Sequence, residues 1–150
     1  MTKIEESHRI VCKLIYLLKR YMDDWINSQL CCGCHNFNNA HLPLFMSIGS
    51  EGISNNALAE KLNVTKQATS KIIKELESIN LVTSQKSKSD ARAVTLCYTE
   101  EGKQFYNSIV DQIYKLEAEY KKIVGAKNYE IAIDVMMKLI DFHDHLPVKC

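Results

Sequence analysis

With 150 residues, 46% of them apolar and 25% charged, the chain is long enough for one domain with a substantial core. A net charge of +1 leaves no global field for nucleic acid or membrane, so any basic surface has to be local. MTKIEESHRI lacks a basic-then-apolar signal pattern and no apolar run approaches ~18 residues, so a cytoplasmic protein with no membrane partner is expected, its six cysteines kept reduced.

From Ile4 to about Leu30, apolar residues recur at helical spacing through Val11, Leu14, Ile15, Leu18, Met22 and Ile26, with Lys13, Lys19, Arg20, Asp23 and Asp24 toward water. This long amphipathic helix ends near CCGCHNFNN, where glycine and asparagine favour a stop and a turn. Pro43 suits the first turn of a second helix, Leu42 to Ile48, stopped by Gly49-Ser50-Glu51-Gly52. Ser54 caps a short helix carrying Ala57, Leu58 and Leu62; Asn63 and Val64 make a tight turn; Thr65 caps a further helix to about Ile79. Asn80 then stands where a left-handed residue ends a helix.

Val82 to Lys86 and Ala93 to Tyr98 read as two short strands joined by the polar SKSDAR tip. Thr99 caps the next helix, which has Glu100 and Glu101 in its first turn and Phe105, Ile109, Ile113, Leu116, Tyr120 and Ile123 expected inside. It breaks around Gly125, and a last helix runs from Tyr129 to about His145 with Ile133, Met136, Met137, Ile140 and His143 on its apolar side. The fold class is mainly α with a small β-wing.

Short helix, tight turn, second helix and hairpin in that order make a winged helix-turn-helix. On the second helix, Thr69, Ile72, Ile73 and Leu76 share a face that would pack on Leu58 and Leu62. Lys66, Gln67, Ser70, Lys71 and Lys74 share the other, as donors able to reach phosphates and base edges. Between Val64 and Leu96, Lys66, Lys71, Lys74, Lys86, Lys88 and Arg92 outweigh Glu75, Glu77 and Asp90, so basic charge gathers where a duplex would lie. An enzyme is disfavoured, because no glycine-rich phosphate loop and no nucleophile elbow occur.

The run ISNNALAEKLNVTKQATSKIIKELESINLVTSQKSKSDARAVTLCYTEEG resembles the winged-helix core of MarR-type transcriptional regulators. The Ala59–Leu62 turn, the phrase SKIIKELESINLV, the Asp90-Ala91-Arg92 wing and the Thr99–Gly102 helix start carry the likeness, over roughly residues 42–103. Asn80 departs from the glycine usual there. The resemblance implies a single MarR-like domain over 1–150, with 42–103 as its DNA-binding lobe and 1–36 and 104–150 as long N- and C-terminal dimerisation helices. It further implies a bacterial homodimer on palindromic double-stranded DNA, with one reading helix and one wing per half-site and Arg92 in the minor groove braced by Asp90. Ser54, Asn55, Thr65, Lys66, Gln67, Ser70, Lys71, Lys74, Lys86, Lys88, Asp90 and Arg92 form the expected DNA-contacting set. The two long apolar end segments agree, since they exceed what a ~50-residue winged helix can cover alone. A repressor relieved by a small-molecule effector or an oxidant follows from the likeness; a winged-helix module that binds protein is the alternative.

No cofactor is implied. An effector cleft could be lined by His41, Trp25 and Tyr21, although aromatics at helical spacing more often belong to a core. The stretch LCCGCHN holds three cysteines and a histidine, and its C-x-x-C spacing from Cys31 to Cys34 serves zinc or thiol–disulfide chemistry. A zinc site needs about four ligands, and Cys31, Cys34 and His35 supply three. Zinc-responsive relatives use a ligand-rich fifth helix, whereas Glu100 to Val124 contains no histidine. A metal sensor, a thiol switch and inert thiols all remain open. Cys12 with Tyr16 one turn later is similar to the peroxide-sensing branch, but Ile26 occupies the place of its second tyrosine, and a packed Cys12 beside the apolar stripe is expected.

Overall fold

The computed structural model describes residues 9–30, 36–86 and 93–147. Its elements are α1 (Val11–Leu30), a 3-10 turn (Asn39–His41), α2 (Leu42–Met46), β1 (Ile53–Ser54), α3 (Asn55–Leu62), α4 (Lys66–Ser78), β2 (Val82–Lys86), β3 (Val94–Tyr98), α5 (Glu100–Val124) and α6 (Ala126–Asp144). The chain is mostly helical with one small antiparallel sheet ordered β1-β3-β2, a winged helix. Two compact units divide it, residues 1–110 and 111–150.

In the first unit, β2 and β3 pair from Val82↔Tyr98 to Lys86↔Val94, and β1 adds Ile53↔Leu96 and Ser54↔Thr95 on the other edge of β3. Strand β1 was not expected from sequence, because two residues carry no alternation and exist as a strand only through β3. Its turn comes close: a Cβ on Gly52 would meet Cys97 Sγ and Thr95 Cγ2 at 2.7 Å, and its φ is +78°. The core joins Leu58, Leu76, Leu81, Leu96 and Ile109 to Phe45, all fully buried. Aromatic rings extend it, with Phe45 to Tyr98 at 5.0 Å, Phe37 to Phe105 at 5.0 Å and Tyr98 to Tyr106 at 5.4 Å between centroids. Tyr98 also donates its hydroxyl to Phe45 O at 2.5 Å, and burial pushes its pKa up to about 12.

The junction into α5 follows the expected chemistry. Asn80 is left-handed at φ 59°, Thr99 Oγ1 donates to Asn80 O at 2.6 Å, and Gly102 N donates back to Thr99 Oγ1 at 2.9 Å. Several boundaries move. Arg9 and Ile10 lie outside α1, while the expected helical residues before them fall outside the described ones. Helix α2 ends at Met46, two residues early, where Ser47 Oγ turns back to Pro43 O at 2.6 Å.

In the second unit, α6 begins at Ala126 rather than Tyr129: Gly125 at φ 83° bends the chain, and Tyr129 N already donates to Gly125 O. Asn128 Nδ2 satisfies Val124 O at the end of α5, and Lys121 pairs with Glu130 at 3.5 Å while lying 5.0 Å over the Tyr129 ring. Ile123, expected inside, is 79% exposed on the last turn of α5, and no residue of α6 is buried. His143, Met136, Met137 and Ile140 are all open to solvent.

Candidate nucleic-acid interface

Local chemistry sets the geometry of α3, the turn and α4. Ser54 Oγ accepts from Ala57 N at 3.2 Å to start α3. Asn63 ends it in the left-handed region at φ 52°, and Val64 N returns to Ala59 O at 3.0 Å. Thr65 Oγ1 then accepts from Ala68 N at 3.1 Å and starts α4, while Thr69 Oγ1 donates to Thr65 O at 3.0 Å. Both cap hydroxyls spend a lone pair as acceptors, and each O–H hydrogen stays available to an acceptor such as a phosphate.

Helix α4 divides cleanly. Thr69, Ile73 and Leu76 are buried and Ile72 is half-buried, whereas Lys66, Gln67, Lys71 and Lys74 are exposed and Ser70 is half-buried between the faces. The two acids of α4 are both drawn to neighbouring elements. Glu77 Oε1 accepts from Ser84 Oγ of β2 at 2.6 Å, and Glu75 Oε2 lies 3.3 Å from His41 Nε2. The outward face therefore presents cationic and amide donors, while both carboxylates of the helix are engaged, one by His41 and one by Ser84.

The other expected contacts distribute as follows. Lys86 is exposed at the outer end of β2, next to the wing tip. Lys88, Asp90 and Arg92 lie outside the described residues. Asn55 opens α3, half-buried, with Oδ1 fully buried and, among the described residues, without a hydrogen-bond partner. Lys61, a further base of the lobe, is occupied, donating to Ser47 O at 3.2 Å.

The sensor candidates separate too. Cys31, Cys34 and His35 lie outside the described residues, and among the described ones no three His, Cys, Asp or Glu side chains gather as a metal site. Cys12 is exposed rather than packed, lining a shallow hollow with Lys13, Tyr16 and Leu17. The reason is that the apolar stripe of α1 is itself uncovered: Val11, Leu14, Ile15 and Leu18 are open, as are Tyr21 and Trp25, which are therefore not core aromatics. Against α1, a groove of about 520 Å³ is lined by Lys19, Met22, Asp23, Ile26 and Asn27 with Asn39, Ala40, Leu42, Pro43 and Met46. That volume suits a small molecule, but His41, Trp25 and Tyr21 are not on its walls.

Residues 49–94 match the model of the MarR family. That segment, from the turn before β1 to the first residue of β3, is what the chain shares with the family. Members of that family are transcription regulators rather than enzymes. Solved structures share this MarR fold at low identity. A mutant MarR from E. coli is 20% identical over 87% of this chain and 96% of its own, with a TM-score of 0.68. The transcriptional repressor CouR, bound to a 23-mer DNA duplex, is 13% identical over 93% and 99%, with a TM-score of 0.75. PcaV from Streptomyces coelicolor, in complex with its natural ligand, is 13% identical over 89% and 94%, with a TM-score of 0.67. No curated protein matches the chain by sequence.

Sequence reasoning missed the contact of His41 with Glu75 and the bond from Ser84 to Glu77. His41 and Glu75 are 34 positions apart, so no local pattern could pair them. A signal did exist for Glu77: a hydroxyl residue early in the strand that follows a helix can reach back to an acid on the last turn.

Proposed function

We propose that the chain is a sequence-specific, homodimeric DNA-binding transcriptional regulator in the cytoplasm, a repressor whose hold is relieved by a small molecule or an oxidant. The observation that carries this reading is the α4 face, where Lys66, Gln67, Lys71 and Lys74 stand exposed over a buried Thr69, Ile73 and Leu76. Donors of that reach on a helix preceding a β-hairpin suit the major groove, with phosphates supplying affinity and base edges supplying choice. Residues 42–103 act as the DNA-binding lobe, and Lys86, Lys88 and Arg92 braced by Asp90 extend the contact along the wing. CouR, bound to a DNA duplex on the same fold, supports the reading.

The terminal segments, 1–36 and 104–150, act as dimerisation helices. Ile131, Val135, Met137, Ile140 and Phe142 of α6 are all exposed, as is the stripe of α1. Apolar faces of this extent mark an interaction surface. A two-fold dimer would put two α4 helices on successive half-sites of a palindromic operator, lifting affinity beyond one lobe's. PcaV's complex with its ligand supports a small-molecule signal; Cys12 and the Cys31, Cys34, His35 run are the candidates for an oxidant or metal signal.

The test is to enrich genomic fragments on the purified full-length chain and measure their affinity across salt. A fall of roughly a hundredfold or more between 50 and 200 mM salt is expected from several phosphate contacts. A salt-independent affinity, or no duplex binding at all, would favour the protein-binding module instead. Unchanged operator affinity after peroxide treatment would remove the oxidant arm.

A further inference from the structure

We infer that His41 is a positioning residue for the reading helix, holding α4 in register for specific DNA through Glu75; this rests on the DNA-binding reading above. Among the described residues, His41 and Thr69 are the buried polar side chains, and His41 is only 8% exposed. Its Nε2 stands 3.3 Å from Glu75 Oε2. Glu75 lies one turn after Lys71 and beside Lys74, at the border of the outward face.

The imidazole is presented by a braced segment of backbone. Asn38 Oδ1 accepts from Ala40 N at 3.0 Å, and His41 N donates to Asn38 O at 2.8 Å, closing a 3-10 turn that leads through Leu42 to Pro43. His41 is thus the fixed partner and Glu75 the one that reaches. The contacts of Ile73 and Leu76 hold α4 against the lobe, but apolar contact is non-directional and tolerates rotation about the helix axis. A polar contact at the flank of the helix does not. A rotation of ~10° would move a lysine ammonium by on the order of 1 Å, given the width of a helix with its side chains. That displacement spoils base-edge hydrogen bonds while leaving attraction to phosphates almost unchanged.

The readout is therefore the ratio of affinity for an enriched genomic fragment to affinity for a random duplex of equal length, measured on the full-length chain. In His41→Leu and Glu75→Ala the ratio should fall about tenfold, with the double variant within about twofold of either single one, because both remove the same contact. His41→Gln, whose side-chain amide can donate to Glu75, should stay within about threefold of the parent. A role confined to stability would instead lower the melting temperature and leave the ratio alone. The inference is overturned if folded Glu75→Ala keeps the ratio within about twofold, or if the two effects multiply in the double variant. Should His41→Leu fail to fold, Glu75→Ala decides, because its side chain is 47% exposed and its loss leaves no cavity. A parent chain that binds no duplex would overturn the proposed function instead.

Discussion

Helices α4 and α6 each carry an apolar face, yet the two faces end up in opposite states. In α4, Thr69, Ile73 and Leu76 disappear into a core closed by Leu58, Leu81 and Leu96, and the polar face is left outward. In α6, nothing is buried, and Ile140 stands 68% exposed with Met137 and Phe142 beside it. The difference is one of supply. The lobe contains three helices and a sheet within about sixty residues of one another, enough to cover its own apolar surface. The segment 111–150 offers the end of α5 and one further helix, too little surface to enclose either. One region covers its own apolar surface, and the other leaves an apolar face open.

The sharpest way to break that contrast is to make α6 polar. Met137→Asp combined with Ile140→Asp should convert a dimer to monomers in sedimentation and weaken operator binding by about a thousandfold, since the second half-site is then reached only by an independent encounter. The same variants should leave the lobe's thermal unfolding nearly unchanged; a chain that stayed dimeric would refute the interface. The reciprocal change is Leu76→Ala in the lobe, which opens a cavity under α4 and should cost about 3 kcal/mol in denaturant unfolding. If it were nearly neutral, the lobe's core would not be the self-sufficient unit described.

A smaller effect is expected on the outward face. Lys71→Ala should weaken duplex binding about tenfold and reduce the slope of log affinity against log salt by ~1, with folding and assembly intact. An unchanged slope would take Lys71 out of the phosphate contacts. The smallest effect concerns Tyr98→Phe, which removes the hydroxyl bond to Phe45 O and should cost about 1 kcal/mol. Because the folded pKa of Tyr98, about 12, stands above the ordinary 10.0, the native chain keeps this proton longer than the unfolded one. Its contribution to stability is complete below pH 10.0 and is lost as pH rises toward about 12. Chemical denaturation across that window should show a decline in the parent chain that is smaller in the phenylalanine variant.

Much of the lobe was legible one residue at a time. Ser54, Thr65 and Thr99 each accept the backbone hydrogen bond their positions announced, and Asn80 takes the left-handed turn that its place after α4 required. The burial of Thr69, Ile73 and Leu76 followed from the helical period. What failed was of another kind. Trp25, Tyr21 and Ile123 have the spacing of core residues, but spacing records that a face is apolar and not whether the chain itself can cover it. Strand β1 and the contacts from His41 to Glu75 and Tyr98 to Phe45 join residues 34 to 53 positions apart, beyond any local pattern.

Caps, turns and periodicity act within a few residues, and they were enough for the order of helices, the capped turn between α3 and α4 and the separation of lysines from apolar residues on α4. Which apolar faces were closed, and which polar groups met, came from long-range packing. Closure depends on the area that distant elements can bring, and the pairing of His41 with Glu75 depends on where a braced turn and a helix happen to face each other.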